Sequence, residues 1–229
     1  MMQLMKLRKN LKIRDVVNSY QSELVDELFG WDSLDFLLHR YMIQYFSVDH
    51  MDHFYETSTR IIDYLIENNI ESKQVLNIGT GIGLLEAVGR SKEYNIDCTE
   101  MKVLSAKDGK LVPNFDPFGF IRSKLNSKVT YWTNSIFDDN YIINNCQQKY
   151  DYGMLVRFTP LTQDCDSNND VKLIFNNLKK YVNDLLIIDD VRNIAMTSDR
   201  NFLKNYEVKM LYKYDALYHV PLNNIITQN

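Results

Sequence analysis

The stretch of sequence that decides the fold is Val75-Leu76-Asn77-Ile78-Gly79-Thr80-Gly81-Ile82-Gly83-Leu84-Leu85-Glu86. A short apolar run ends in alternating glycines and continues into a pattern typical of a helix. Glycine lets a backbone approach a ligand where a Cβ would clash, and the start of a helix offers unpaired N–H groups. The stretch therefore predicts a strand, a ligand-binding turn and a helix.

Apolar runs downstream of this turn predict the rest of a sheet. Strands are expected at residues 94–100, 129–132, 152–158 and 184–188, with one or two more within 208–220. Helical spacing lies between them at residues 84–90 and 172–181. Nearly continuous apolar strands that alternate with helices indicate a parallel sheet covered on both faces. We predict an α/β fold with a doubly wound, mostly parallel sheet.

Two segments depart from this alternation. Residues 15–69 show only helical spacing, so we predict an N-terminal helical cap over 1–70 and the α/β domain over 71–229. Residues 108–128 are rich in glycine, proline and phenylalanine, which predicts a surface insertion packed by its own aromatic side chains or a lid beside the site.

Composition restricts the class of protein. The 229 residues are 45% hydrophobic and 24% charged, which is typical of one full-sized globular domain with an appendage. A net charge of -4 argues against a nucleic-acid binder, so we expect no DNA partner and disfavour RNA. The three cysteines form no CxxC pair, and no signal-peptide core or membrane span is evident. We therefore expect a cytoplasmic protein that binds no membrane, and the oligomeric state stays open.

An acidic residue follows the glycine turn at the spacing that nucleoside cofactors use. Glu100 closes the next predicted strand, about twenty residues after the glycines, where a carboxylate can accept hydrogen bonds from ribose hydroxyls. The dinucleotide fingerprint G-x-G-x-x-G requires a third glycine at the position of Leu84. A nicotinamide cofactor is therefore disfavoured, although a nucleoside-containing cofactor is expected.

The G-x-G-x-G pattern of this chain resembles the first motif of the class I S-adenosylmethionine-dependent methyltransferases. The resemblance spans residues 72–191 and implies a Rossmann-like fold and S-adenosylmethionine as the cofactor. It implies cofactor contacts at the turn (Asn77, Gly79, Thr80, Gly81, Gly83), after the second strand (Glu100, Met101) and beside the adenine (Asn134, Ser135, Ile136). Asn77 departs from the family, which commonly has an acid there, and this weakens attraction to the cofactor's ammonium group.

The end of the fourth predicted strand carries the first clue to the acceptor. It reads Leu155-Val156-Arg157-Phe158-Thr159-Pro160, which is neither of the family's motifs for methylating DNA bases. The fork of Arg157 suits the carboxylate or phosphate of an anionic acceptor, or the cofactor's own carboxylate. A structural ion pair of Arg157 with Asp189 or Asp190 is the alternative.

Three further residues are candidates for catalysis. Asp189 and Asp190 end the fifth predicted strand, where either could act as a base or orient a substrate amine, or where Asp190 could cap a helix. His53 in the cap is a candidate general base. A metal site of His53 with His50 and Glu56 is the weaker alternative, and we predict no metal.

These residues together predict an S-adenosylmethionine-dependent methyltransferase acting on a small-molecule acceptor. Two alternatives remain open from the sequence. One is an enzyme of the same fold that uses S-adenosylmethionine for another reaction, such as aminopropyl transfer. The other is a non-catalytic binding protein that has kept the fold.

Overall fold

A computed structural model describes residues 48–101, 105–107, 110–112, 122, 129–133, 136–138, 140–144, 146, 148–158, 168–191, 206 and 208–222. Its helices are α1 (Val48–Glu67), α2 (Leu84–Ser91) and α3 (Asn168–Leu178), with a short 3-10 helix at Ser72–Gln74. Its strands are β1 (Val75–Ile78), β2 (Asp97–Met101), β3 (Ser105–Lys107), β4 (Lys110–Val112), β5 (Thr130–Thr133), β6 (Ile142–Ile143), β7 (Tyr150–Val156), β8 (Val182–Asp190), β9 (Val208–Tyr212) and β10 (Asp215–Pro221).

One eight-stranded sheet organises the molecule, in the order β6-β5-β2-β1-β7-β8-β10-β9. Strands β5, β2, β1, β7 and β8 run parallel, while β10 is antiparallel to both of its neighbours. From β1 the chain first adds β2 and β5 on one side and then β7 and β8 on the other. The strand order therefore reverses between β1 and β7, and open α/β sheets bind ligands at the carboxyl ends of strands at such a point.

Helices cover both faces of the sheet, and alternate side chains of β1 pack against them. Leu76 and Ile78 of β1 belong to the same hydrophobic cluster as Ile174 and Leu178 of α3. Val75 belongs to a second cluster that holds the buried faces of α1 and α2. Successive side chains of a strand point to opposite faces. The predicted α/β, doubly wound, mostly parallel sheet is therefore confirmed.

The short elements differ from the sequence expectations. No strand was predicted in the segment 108–128, but β4 lies within it and pairs with β3 as a two-stranded hairpin. Strand β6 was also not predicted. Runs of two or three residues carry too little alternation to be distinguished from loop sequence. Helix α3 begins at Asn168, before the predicted start at 172, because the polar residues of its first turn hide the period.

The described part of the predicted cap is helix α1, which packs directly on the sheet. Its residues Ile61, Ile62 and Leu65 are fully buried and share a cluster with Val75 of β1. Residues 1–47 lie outside the described residues, and the division at residue 70 stays a prediction. Within the described ranges, none of the helices has the length and apolar character that crossing a bilayer requires.

We expect α1 to be an integral part of the core. Leu65→Ala should lower the free energy of unfolding by about 2–5 kcal/mol, because it leaves a cavity between α1 and the sheet. Ile66→Ala is the matched control on the same helix, since Ile66 is 45% exposed, and it should change stability by less than about 0.5 kcal/mol. Urea denaturation of the two variants measures both values. Equal, small effects would show that α1 does not contribute to the core.

Candidate active site

The turn between β1 and α2 is built from three glycines in the left-handed region. Gly79, Gly81 and Gly83 have φ values of 78°, 57° and 78°. Other residues adopt this region only at a cost of about 1–2 kcal/mol. A Cβ on Gly79 would also lie 2.8 Å from Cδ2 of Phe158, which follows β7. Glycine is therefore needed at position 79 for both conformation and space.

Most backbone N–H groups of this turn already have partners inside the protein. Gly79 N and Thr80 N both donate to Thr99 O of β2, at 2.9 and 3.2 Å. Gly83 N donates to Thr80 O at 3.1 Å, and Gly81 N donates to Glu100 Oε2 at 2.6 Å. The turn is thus bound to β2 through its own backbone.

Gly81 is held from both sides. Glu100 accepts its N–H, while Arg122, which is 1% exposed, donates to its carbonyl oxygen. Arg122 Nη1 also lies 3.8 Å from Glu100 Oε2. Because Arg122 lies in the segment 108–128, this segment contributes at least one residue to the site. The predicted ribose contact of Glu100 would share its carboxylate with these partners and stays a prediction.

A buried carboxylate lies behind the turn. Glu86, in the first turn of α2, is 1% exposed and accepts hydrogen bonds from Asn77 Nδ2 and Thr80 Oγ1, each at 2.6 Å. Burial raises the pKa of Glu86, and these hydrogen bonds act in the opposite direction. Asn77 itself carries no charge, but a carboxylate contacts its side chain from the helix.

A cavity opens at the carboxyl ends of β1 and β7, with about 590 Å³ of empty volume that includes open solvent space. It is lined from α1, β1, the glycine turn, α2 and β7 by Phe54, Thr57, Ser58, Asn77, Gly79, Thr80, Gly81, Ile82, Leu84, Leu85, Val156 and Arg157. Asn77 is 2% exposed, and its Oδ1 has no hydrogen-bond partner among the described residues. A buried polar atom of this kind at a cavity wall calls for a ligand donor.

Arg157 also lines this cavity. It follows β7 with φ at 48°, and its Nη2 donates to Asp215 Oδ1 at 2.5 Å. Its guanidinium also lies 5.2 Å from the ring centre of Phe54. The expected ion pair with Asp189 or Asp190 is wrong: Arg157 pairs with Asp215, because β10 runs antiparallel and brings its first residue to the ends of the parallel strands.

His53 joins the same cluster from α1. Its Nε2 lies 2.8 Å from both Arg157 Nη2 and Asp215 Oδ2, and Thr57 Oγ1 donates to Asp215 Oδ2 at 2.5 Å. One ring nitrogen can accept from Arg157 or donate to Asp215, so the position of the proton decides which contact forms. Burial lowers the pKa of His53; Asp215 raises it and Arg157 lowers it. The net direction favours a neutral ring at neutral pH.

The remaining predicted residues are placed as follows. Asp189 and Asp190 are buried at the end of β8, with Asp190 opposite Asp215 in the register, and neither lines the cavity described above. Ile136 is buried in the core, and its carbonyl accepts from Asn177 Nδ2 at 2.8 Å. Met101 ends β2 opposite Trp132. Asn134 and Ser135 lie outside the described residues.

Sequence reasoning missed the residues that connect these groups. Asp215, Thr57 and Arg122 carry no local signal, because their partners are far away in the chain. Glu86 could have been found, since an acid at the third position of a helix that follows a glycine turn is a common N-terminal feature. Over the ranges that the structure describes, no group of three His, Cys, Asp or Glu side chains could hold a metal ion, and His53 contacts Arg157 and Asp215 instead.

No protein-family model and no curated protein sequence matches this chain. The solved magnesium protoporphyrin IX methyltransferase of Synechocystis, with bound S-adenosylhomocysteine, is 11% identical at a TM-score of 0.42, over 92% of this chain and 98% of that one. The pyocyanin biosynthetic protein PhzM is 12% identical at 0.49, over 75% of this chain and 56% of that one. An S-adenosylmethionine-dependent methyltransferase from Clostridium acetobutylicum is 14% identical at 0.46, over 81% of each chain. At these identities and TM-scores no activity follows, and the fold rests on the strand order and register above.

The lowered pKa of His53 predicts a specific dependence of stability on pH. The unfolded chain binds a proton near the ordinary histidine pKa of 6.5, before the folded protein does. Stability should therefore fall as the pH drops below 6.5, and less steeply in a His53→Gln variant. Urea denaturation of both proteins between pH 5 and pH 8 measures the difference. Parallel curves would contradict the direction of the shift.

Proposed function

We propose that this protein binds S-adenosylmethionine in the cavity between β1 and β7 and transfers the methyl group to a small-molecule acceptor. The observation that carries the proposal is a pair of polar groups that line this cavity. Asn77 Oδ1 is buried with no partner among the described residues, and Arg157 lines the same cavity. The hydrogen-bond acceptor Asn77 Oδ1 suits the ammonium group of an amino acid, and the guanidinium of Arg157 suits its carboxylate. An amino acid is one end of this cofactor.

The turn suits a cofactor without phosphate. A pyrophosphate site requires free backbone N–H groups and an open helix N-terminus. Here Gly79, Thr80 and Gly81 donate to Thr99 and Glu100. The carboxylate of Glu86 also lies in the first turn of α2, where it would repel a phosphate. These features disfavour a dinucleotide and support a cationic cofactor.

Further residues are proposed to contact the ribose, the adenine and the methionine end of the cofactor. We propose that Glu100 accepts from the ribose hydroxyls while it also holds Gly81, and that Met101 lies near the same group. By their place after the third predicted strand, Asn134, Ser135 and Ile136 would lie beside the adenine, and Ile136 would do so from within the core. The turn residues Gly79, Thr80, Gly81 and Gly83 would surround the methionine end, with Asn77 nearest to the ammonium group.

The bound cofactor supplies an electrophilic methyl group, so the protein's contribution is to position the acceptor and remove its proton. Arg157 would bind an acidic group of the acceptor or the carboxylate of the cofactor. When His53 donates Nε2–H to Asp215, Nδ1 is the basic nitrogen, and a neutral ring can take a proton there. Asp189 and Asp190 do not line the cavity, so they would orient the acceptor only through the residues that do. The negative net charge supports a small molecule over a nucleic acid, and the cytoplasmic location stays a prediction from the cysteine pattern.

Calorimetry with S-adenosylmethionine, S-adenosylhomocysteine and NAD tests the cofactor, and Glu100 supplies the variant. We expect the first two ligands to bind and NAD not to bind. Glu100→Ala should weaken binding by roughly 10- to 160-fold, because a charge-assisted hydrogen bond is lost. Glu100→Gln keeps an acceptor for Gly81 N–H and should weaken binding less. Binding of NAD alone would overturn the proposal.

Product analysis then identifies the transferred group. S-adenosylhomocysteine and a methylated acceptor are expected from methyl transfer. Methylthioadenosine would show transfer of the aminopropyl group instead. Cofactor binding with no turnover across a broad acceptor panel would support a binding protein that has kept the fold.

Arg157 is expected to select acidic acceptors. A panel of paired acidic and neutral acceptors should show a higher kcat/KM for the acidic member with the wild-type protein. The double variant Arg157→Met, Asp215→Asn removes both charges and leaves no unpaired carboxylate. Its ratio of kcat/KM for the acidic over the neutral acceptor should be lower by about 10-fold or more. Arg157→Lys keeps the charge but not the fork, and it should retain part of the preference. Equal preference in all three proteins would show that Arg157 does not bind the acceptor.

A further inference from the structure

Glu86 is the buried charge of this site that the proposed cofactor contacts do not use. It is 1% exposed and is not among the residues that line the cavity. Its two side-chain partners, Asn77 and Thr80, do line the cavity. The carboxylate therefore reaches the cavity only through the residues that it holds.

The chemistry of Glu86 fixes the orientation of the Asn77 amide. Both oxygens of Glu86 accept hydrogen bonds, Oε1 from Asn77 Nδ2 and Oε2 from Thr80 Oγ1, which is the pattern of an ionised carboxylate, so the NH2 group of Asn77 faces Glu86. The amide oxygen then points away from Glu86, and this oxygen has no hydrogen-bond partner among the described residues. The contact with Glu86 thus orients Asn77 Oδ1 and places a negative charge on the other side of the Asn77 amide.

We propose that Glu86 is a positioning residue that holds Asn77 Oδ1 ready to accept from the ammonium group of the ligand. This inference rests on the proposed function. Glu86 on α2 supplies the negative charge, and Asn77 on β1 supplies the oxygen, Oδ1, that contacts the ligand. The absence of an acid at position 77 is then a requirement of this arrangement, because two carboxylates in hydrogen-bond contact would repel each other.

The position of Glu86 in α2 explains how a buried charge is tolerated there. It lies in the first turn of the helix, where the backbone dipoles favour a negative charge. Two donors converge on it, from Asn77 and Thr80. Burial nevertheless raises its pKa, so the ionised form is less stable than it is in water. A neutral side chain at position 86 would avoid this cost, so a contribution to stability does not explain why the residue is a glutamate.

The first test measures the affinity of Glu86→Gln for S-adenosylhomocysteine and for 5′-methylthioadenosine by calorimetry. Glutamine has the same shape but can face Asn77 with either end of its amide, so the orientation and the charge are both lost. We expect affinity for S-adenosylhomocysteine to fall by roughly 10-fold. Affinity for 5′-methylthioadenosine should not change, because that ligand has no amino-acid end. The thermal midpoint should not fall, since a buried charge has been removed.

The second test exchanges the two groups. Asn77→Asp alone should lower the thermal midpoint, because it brings a second carboxylate to within the 2.6 Å of the present hydrogen bond. The double variant Asn77→Asp, Glu86→Gln keeps one carboxylate and one amide in contact, with the carboxylate now on β1. We expect it to recover both the thermal midpoint and the affinity for S-adenosylhomocysteine. A double variant weaker than Glu86→Gln would overturn the inference.

The control is Asp97→Asn, which makes the same chemical change at the other end of the sheet. Asp97 begins β2 and accepts from Tyr150 Oη at 3.0 Å. It should bind both ligands as the wild-type protein does. If the wild-type protein binds S-adenosylhomocysteine and Glu86→Gln binds it equally well, the inference about Glu86 is overturned but the proposed function is not. A wild-type protein that binds neither ligand would overturn the proposed function and this inference together.

Discussion

A single carbonyl oxygen, Thr99 O of β2, accepts hydrogen bonds from two successive N–H groups of the glycine turn. Buried backbone groups must be paired, and here the pairing joins the turn after β1 to the neighbouring strand. The three positive φ values let the chain make these bonds and still enter α2 directly. The positions of Asn77, Glu86 and Glu100 around the turn all depend on this connection.

Two buried charge systems flank the cavity, and each is compensated differently. Glu86 accepts hydrogen bonds from two neutral donors at the start of a helix, and burial raises its pKa. Asp215 is fully buried and is neutralised by Arg157, with His53 and Thr57 completing its contacts. Buried pairs of this kind contribute little net stability. Their concentration at the switch point of the sheet is better explained by binding and proton transfer than by folding.

The sequence predicted the parts of this structure that depend on local pattern. The apolar run at residues 75–78, the glycine turn and the strand that precedes Arg157 were all readable from period and residue type. The partners of Arg157 were not, because Asp215 lies 58 residues further along the chain and Thr57 contacts Asp215 across 158 residues. Such contacts depend on β10 entering the sheet antiparallel, which an apolar run at 208–220 does not reveal. The role of Glu86 depends on the direction of an amide, which only coordinates can show.

The backbone at Arg157 gives an independent reason to regard this side chain as functional. Its φ of 48° is one that glycine would adopt without strain. The chain instead keeps an arginine there, held by its N–H bond to Ile188 O, the pair with Asp215 and the contact with Phe54. Residues that persist in such a conformation are concentrated at functional sites. Because Phe54 and Thr57 come from α1, the same contacts make that helix a wall of the site as well as part of the core.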